Sequence, residues 1–433
     1  MRKYSEYKNS DIPWIGNIPS HWNIERGKNV LTLLDRPIMD TDDVITCFRD
    51  GEVTLRKNRR EEGFTLSFQE IGYQGIEPGD LVVHGMDGFA GAIGVSDSRG
   101  KATPVLNVMD SIHNKRFLMY YLRTAAYKDV FMSLSTGIRV RSCDLRWNKL
   151  SVFPFVLPER EEQDRIAEYI DDKLLQINNI ISEAKASIEE YKAWKASIIY
   201  EAVTKGLDPN VEMKDSGVEW ISHIPANWNV KRTKALFSYG KGLPITKENL
   251  VEDGIPVISY GQIHSKKNTG TGVIEELIRF VPESYINSNP ESLVKKGDIL
   301  VADTSEDLAG CGNAVYVDSD MTLFAGYHTI ILKSNDVSDN KYIAYLMRTD
   351  AWRSQIRANV SGVKLFSISK RILNSTSVIL PSTEEQKEIT DYLDSKCKAI
   401  DEIIAEKDLL ILELEKYKKS LIFDVVTGKK RVC

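Results

Sequence analysis

Pro158-Glu159-Arg160-Glu161-Glu162-Gln163-Asp164-Arg165-Ile166-Ala167-Glu168-Tyr169-Ile170-Asp171 opens a long stretch of helical periodicity, and the chain contains that stretch twice. Glu161-Glu162-Gln163 recurs as Glu384-Glu385-Gln386, an offset of 384 − 161 = 223. The register then holds without a gap: Ile166 onto Ile389, Tyr169 onto Tyr392, Asp171 onto Asp394, Ser197 onto Ser420, and Val203-Thr204 onto Val426-Thr427. Apolar positions in the first copy fall at Ile166, Ile170, Leu174, Ile177, Ile181, Ala184, Ile188, Tyr191, the alkyl stem of Lys195, Ile198 and Ala202. In the second they fall at Ile389, Leu393, Cys397, Ile400, Ile404, Lys407, Ile411, Leu414, Lys418, Leu421 and Val425. After opening steps of four, the spacing alternates three and four, a heptad seam. Pro158 and Pro381 stop any preceding helix, and Ser382 and Thr383 offer cap oxygens. The paired glutamates favour the positive end of the helix dipole, while Gly206 and Gly428 mark the C-terminal ends. Each helix of about 44 residues is then roughly 65 Å long. With so long an apolar stripe each is expected to pack on the other as a coiled coil; two unrelated amphipathic core helices are the alternative.

Working outward, a second block repeats at a different offset. Trp14-Ile15-Gly16-Asn17-Ile18-Pro19-Ser20-His21-Trp22 matches Trp220-Ile221-Ser222-His223-Ile224-Pro225-Ala226-Asn227-Trp228, and 220 − 14 = 206. The segment between the two blocks is therefore longer in the second copy, and it is little alike in sequence. Constant ends around a variable middle describe one scaffold carrying two different modules. The middles read as mixed α/β. Strands are predicted at 44–48, 53–55, 80–83, 92–95 and 152–156, then at 256–260, 298–301, 313–317 and 329–332. A helix is predicted over 115–134 in the first copy and over 340–360 in the second. These helices align too, Tyr120, Arg123, Thr124, Ala126, Tyr127 and Gly137 onto Tyr345, Arg348, Thr349, Ala351, Trp352 and Gly362. The predicted organisation is an α/β domain over 1–160, a long helix over 161–206, a second α/β domain over 207–383 and a second long helix over 384–428. A pseudo-twofold axis crossing the helix pair would make the helices antiparallel.

Composition sets the class. In 433 residues, 42% are hydrophobic and 27% charged, as in ordinary globular chains. No apolar run approaches a membrane span, and Met1-Arg2-Lys3-Tyr4 opens no signal-peptide core. The five scattered cysteines, none in a Cys-x-x-Cys pair, fit a reducing cytoplasm. A net charge of −5 lacks the basic footprint of an autonomous nucleic-acid binder. There is no Gly-x-x-x-x-Gly-Lys-Ser/Thr phosphate loop. Gly88 to Gly94 fits a tight hairpin better than a dinucleotide loop, and the Asn/Asp-Pro-Pro-aromatic signature of adenine methyltransferases is absent. The six histidines show no metal-ligand spacing, and His84 reads as structural. The chain reads as non-catalytic, with no cofactor of its own.

Tyr7 to Trp22 and Met213 to Trp228 both resemble the opening motif of specificity subunits of type I restriction–modification systems. Pro158 to Asp171 and Pro381 to Asp394 resemble the start of that family's long helices, and the likeness spans essentially the whole chain. The departures are small: Asn9 and Asp11-Ile12-Pro13 lack the usual Asp and Gly, and Asp401 has Asn178 as its counterpart. The resemblance implies two target-recognition domains, each reading one half of a bipartite double-stranded DNA target. It implies that the paired helices set the spacing and dock two modification subunits, which carry S-adenosylmethionine and methylate adenine. A restriction subunit using ATP and Mg would join for cleavage. The acidic balance fits, since partners can supply phosphate attraction. Twofold readers place half-sites roughly 34 Å apart, a distance a helix pair of ~65 Å accommodates.

Candidate DNA contacts follow from charge and loop position. Arg56, Lys57, Arg59 and Arg60 form the densest basic run of the first domain; a solvated hairpin tip is the alternative. Thr136, Arg139 and Arg141 flank Gly137, and Ser361 and Lys364 flank Gly362, placing a basic residue two after glycine in both copies. In the second domain Tyr260, Gln262, Lys266 and Lys267 are expected in a polar loop, where Gln262 would pair with adenine. Thr304 and Ser305 follow a strand. The competing reading of the whole chain is a tandem adapter that scaffolds protein partners and reads no DNA. A self-sufficient methyltransferase is disfavoured by its missing motif.

Overall fold

The computed structural model describes residues 2–59, 71–133, 145–335, 340–362 and 364–432. Two compact units emerge, Met1–Lys185 with Lys407–Cys433, and Ala186–Glu406. Each holds one mixed α/β domain, the opening part of one long helix and the closing part of the other.

In the first unit the strands Thr32–Leu33, Leu106–Asp110, Leu81–His84 and Ile93–Val95 form an antiparallel sheet in that order. Successive strand residues point to opposite faces, and here both faces are covered. Leu81, Val83, Ile93 and Met109 pack toward the helix Lys115–Tyr127, while Val82, Leu106 and Val108 pack toward Ile45, Val53 and Ile76. That explains the unbroken apolar run at 81–83. The second unit repeats the order with Phe237–Lys241, Thr329–Ser334, Ile299–Ala302 and Ala314–Tyr316. Its outer layer is larger: Arg279–Val281, Ile255–Ile258, Leu323–Ala325 and Leu293–Val294 form a further four-stranded sheet, with Ile255–Ile258 and Leu323–Ala325 parallel.

The helix expected over 115–134 stops earlier. It is capped by the Asn114 side chain, which accepts from Arg116 N and Phe117 N, and runs Lys115–Tyr127. Asp129 takes the left-handed conformation at φ 57, and a short helix Val130–Ser133 follows. The helix expected over 340–360 is likewise two, Asn340–Met347 and Asp350–Arg357. Thr349 breaks it, its hydroxyl accepting from Trp352 N at 3.2 Å to cap the second piece. The strand expected over 256–260 ends at Ile258, because Ser259 caps a helical turn, Tyr260–Ile263.

The long helices run Arg160–Lys205 (46 residues) and Thr383–Val426 (44 residues). Ser382 is the cap, its Oγ accepting from Glu385 N at 3.2 Å, and Thr383 is already helical. Gly206 (φ 78) and Gly428 (φ 69) end them in the left-handed region. A Cβ on Gly428 would lie 2.3 Å from Pro19 Cδ, so close packing also requires glycine there. In the first unit Ile166, Ile170, Ile177 and Ile181 are buried with Leu421, Ile422, Val425 and Val426, and Leu174, Ile411 and Leu414 pack against them. In the second, Ile389, Leu393 and Cys397 are buried with Ile199, Ala202 and Val203. Ile188 and Ile400 are buried and Ile404 half-buried. A polar contact joins the helices within each unit. Lys195 Nζ meets both oxygens of Asp401 at 2.7 and 2.6 Å in the second, and Lys418 Nζ donates to Asn178 at 2.8 Å in the first.

Each α/β domain is closed by the same clamp. The strand after the opening motif pairs with the strand leading into a long helix: Asn23–Arg26 with Pro154–Leu157, and Asn229–Arg232 with Ser377–Leu380. This brings the motif's final tryptophan over the first helical turn. Trp22 Nε1 donates to Glu162 Oε2 at 3.3 Å, and Trp228 Nε1 to Glu385 Oε1 at 3.0 Å. Gln163 and Gln386 each donate to the carbonyl of the preceding proline, at 2.8 and 3.0 Å. Tyr120 and Tyr345 donate to Asp171 and Asp394, at 2.5 and 2.7 Å. The repeated residues are therefore those that fasten a domain to a helix. Both tryptophans are fully buried. Trp22→Ala is expected to destabilise the first unit by about 3–5 kcal/mol through lost burial and the cavity left behind. Urea unfolding measures this, and a loss below about 1 kcal/mol would contradict it.

Candidate nucleic-acid interface

Two clefts gather the sequence candidates, one in each unit. In the first, a cleft of about 570 Å³ is lined by Thr46, Phe48, Arg49, Asp50, Arg56, Arg59, His84 and Asp87, among others. Arg56 follows the strand Val53–Leu55 and donates through Nε to Thr46 Oγ1 at 3.3 Å. The Arg59 guanidinium lies 4.3 Å over the Phe48 ring and pairs with Asp50 and Glu52 at 2.7 and 3.2 Å. Lys57 pairs with Asp43 at 2.5 Å, outside the cleft lining. The basic run is thus largely matched by carboxylates the fold brings to it, and its net field is weaker than its sequence suggests. His84 Nδ1 accepts from Met86 N and Asp87 N at 3.2 and 3.0 Å, and burial lowers its pKa. It braces the turn after its strand as a neutral imidazole. Arg60, Thr136, Arg139 and Arg141 lie outside the described residues.

The second cleft, about 680 Å³, brings Tyr260, Lys266 and Ser305 together with His264, Asn313, Arg348 and Arg353. Tyr260 stands at the start of its helical turn, edge-on to Tyr327 and His328 at 5.1 and 5.5 Å between ring centroids. Gln262 is not in the lining. Its side-chain oxygen accepts from Ser259 N at 3.0 Å to complete a capping box, which replaces the exposed loop and adenine contact expected for it. Lys267 is paired with Glu276. Thr304 and Ser305 are buried in a two-residue strand against Phe366–Ser367. Their hydroxyls are used internally, Thr304 donating to Asp303 at 2.8 Å and Ser305 to the Asp307 carbonyl at 2.7 Å. Ser361 and Lys364 are exposed on the loop after Asp350–Arg357. Sequence reading passed over Arg348 and Arg353 because they sit inside a helical pattern rather than in a loop. Among the described residues no three His, Cys, Asp or Glu side chains converge as a metal site, and no helix is long and apolar enough to cross a membrane.

Comparison with known proteins gives this geometry a family. The type I restriction modification DNA specificity domain matches residues 225–412. The MjaVIII type I restriction enzyme specificity subunit of Methanocaldococcus jannaschii is 27% identical over 341 residues, covering 77% of this chain and 76% of that protein. The putative MjaX specificity subunit of the same organism is 24% identical over 458 residues, covering 99% and 98%. Two solved structures share the fold at 14% identity. One, from work on complex assembly and conformational transition of the type I R-M system, has a TM-score of 0.69 and covers 95% of this chain and 99% of its own. The HsdS subunit from Thermoanaerobacter tengcongensis has a TM-score of 0.54, covering 95% and 98%. The chain belongs to the specificity subunits of type I restriction–modification systems.

Proposed function

We propose that each α/β domain reads one half of a bipartite duplex target, and that the two long helices pair as an antiparallel coiled coil fixing the distance between the readers. The observation that carries this reading is the doubled clamp around unlike clefts. Trp22–Glu162 and Trp228–Glu385 fasten the domains identically, whereas Phe48, Arg56 and Arg59 line one cleft and Tyr260, Arg348 and Arg353 the other. Identical fastening with different linings suits two independent readers on a common scaffold. The polar contacts Lys195–Asp401 and Lys418–Asn178 support the coiled coil, since polar pairs in an apolar seam select register.

The chain itself is non-catalytic in this reading. Two modification subunits, which hold S-adenosylmethionine, dock on the helices and methylate adenine, and a restriction subunit joins them with ATP and Mg for cleavage. Apolar side chains left exposed along the helices support a docking role: Leu175, Leu409, Leu410 and Leu412 in the first unit, Trp194 in the second. With a net charge of −5, the isolated chain is expected to bind duplex weakly, and phosphate attraction is supplied largely by the partners. Co-purification with the modification subunit is expected to give one copy of this chain to two partners by mass photometry. That complex should bind one duplex sequence in a salt-sensitive manner. Saturation at a single partner, or a complex indifferent to duplex DNA as an adapter would be, would contradict the proposal.

A further inference from the structure

The aligned helices of the two domains treat the same cations differently. Arg123, Tyr127 and Lys128 correspond to Arg348, Trp352 and Arg353 at an offset of 348 − 123 = 225. In the first unit both cations are occupied. Arg123 donates to the Tyr127 hydroxyl at 2.6 and 3.2 Å, and Lys128 Nζ lies 4.7 Å over the Phe423 ring. In the second unit tryptophan replaces the tyrosine, so the accepting hydroxyl is gone. Trp352 is buried and spends its indole N–H on the Ser377 carbonyl at 3.0 Å. Arg348 then makes no hydrogen bond or ion pair among the described residues. Arg353 donates only to the Met347 carbonyl, at 3.0 Å.

Nearby carboxylates are spoken for. Asp401, whose charge reaches Arg348, holds Lys195 with both oxygens. Asp350 pairs with Arg357 at 2.8 Å. Asp307 shares the cleft but accepts from Gly310 N at 2.6 Å, leaving Glu306 as the other acid in the lining. Burial lowers the pKa of both arginines. Arg353 is brought down to about 10, by burial first and then by the charges of Arg348 and Arg357. Two like charges, mostly out of water and without counter-ions, are costly unless an anion enters between them.

We infer that Arg348 and Arg353, with Lys266 at the rim, form an anion site in the second domain's cleft that takes a phosphate group. Guanidinium forks match phosphate oxygens in pairs, which a neighbouring lysine alone does not. Resting on the duplex-reading proposal, the occupant is a backbone phosphodiester, and the site positions the second half-site without reading its bases.

The test uses the full chain assembled with its modification subunits, and compares Arg348→Gln/Arg353→Gln with Arg123→Gln and with Arg348→Lys. The double variant is expected to bind target and unrelated duplexes more weakly by a similar factor. Its log Kd against log salt slope should fall by about two, near 0.9 per lost phosphate contact, with the methylated sequence unchanged. Arg123→Gln should leave that slope alone, and Arg348→Lys should keep the slope while weakening binding. A parallel arm measures the melting temperature of the full chain with inorganic tripolyphosphate. Protection lost in the double variant while duplex binding stays normal would identify a free phosphate compound as the occupant and still support the site. A double variant indistinguishable from wild type toward both probes would overturn it, as would one that sheds a modification subunit instead. A wild-type complex that binds no duplex would sink the duplex-reading proposal, leaving tripolyphosphate to decide the site.

Discussion

Exchanging residues 23–157 for the matching domain of another specificity subunit is expected to rewrite one half of the methylated sequence and leave the other half untouched. The boundaries follow from the clamp: Asn23–Arg26 and Pro154–Leu157 form one antiparallel ladder, so the graft enters and leaves at the same place. Trp22 and Glu162 stay with the scaffold, and their 3.3 Å contact needs nothing from the grafted interior. The effect should be large. At about 1–3 kcal/mol per altered base pair, a half-site changed at three positions discriminates by roughly 3–9 kcal/mol, enough to remove methylation of the original sequence. Methylome sequencing of a host carrying the chimaeric complex reads both halves at once. Alteration of both halves would show that the domains do not act independently.

What the sequence disclosed and what it withheld divide along a physical line. The long helices were legible because a heptad seam is a property of spacing, and the seam residues from Ile166 to Leu414 are buried or half-buried within their units. The sheet strands were legible as short apolar runs, though only the structure explains Leu81, Val82 and Val83, which are shared between two cores. Local competition was not legible. Thr124 and Thr349 are the same residue at aligned positions. Thr124 donates back to the Tyr120 carbonyl inside an unbroken helix, whereas Thr349 caps a new one. The candidate contacts fared according to their neighbours. Arg59 and Lys57 stand out in sequence, yet Asp50, Glu52 and Asp43, distant by one turn or more of chain, pair with them in space. Gln262 looked free because its bond to Ser259 N depends on a cap rather than on composition. Arg348 was hidden for the opposite reason, since one Tyr-to-Trp difference four residues away leaves it without the bond its counterpart makes.

The central claim, that the paired helices act as a ruler between two readers, has a direct test in their length. Inserting matched heptads after Ile181 and after Ile404 preserves the seam, because seven residues shift a straight helix by only about 20° against a perfect repeat. Both insertions fall between the residues of the polar contacts, Asn178 and Lys195 on one helix and Asp401 and Lys418 on the other, so both contacts survive. Each heptad adds about 10.5 Å at ~1.5 Å per residue, and a duplex advances about 3.4 Å per base pair. Three heptads add roughly 31 Å, close to one duplex turn of about 34 Å, so the readers return to nearly the same face of the DNA. The decisive measurement selects bound duplexes from a library with fixed half-sites and varied spacer length, using the purified complex of the three-heptad variant. The account predicts unchanged half-sites and a preferred spacer longer by about nine base pairs. Enrichment of the original spacer would mean that the helices do not set the distance, and would contradict it.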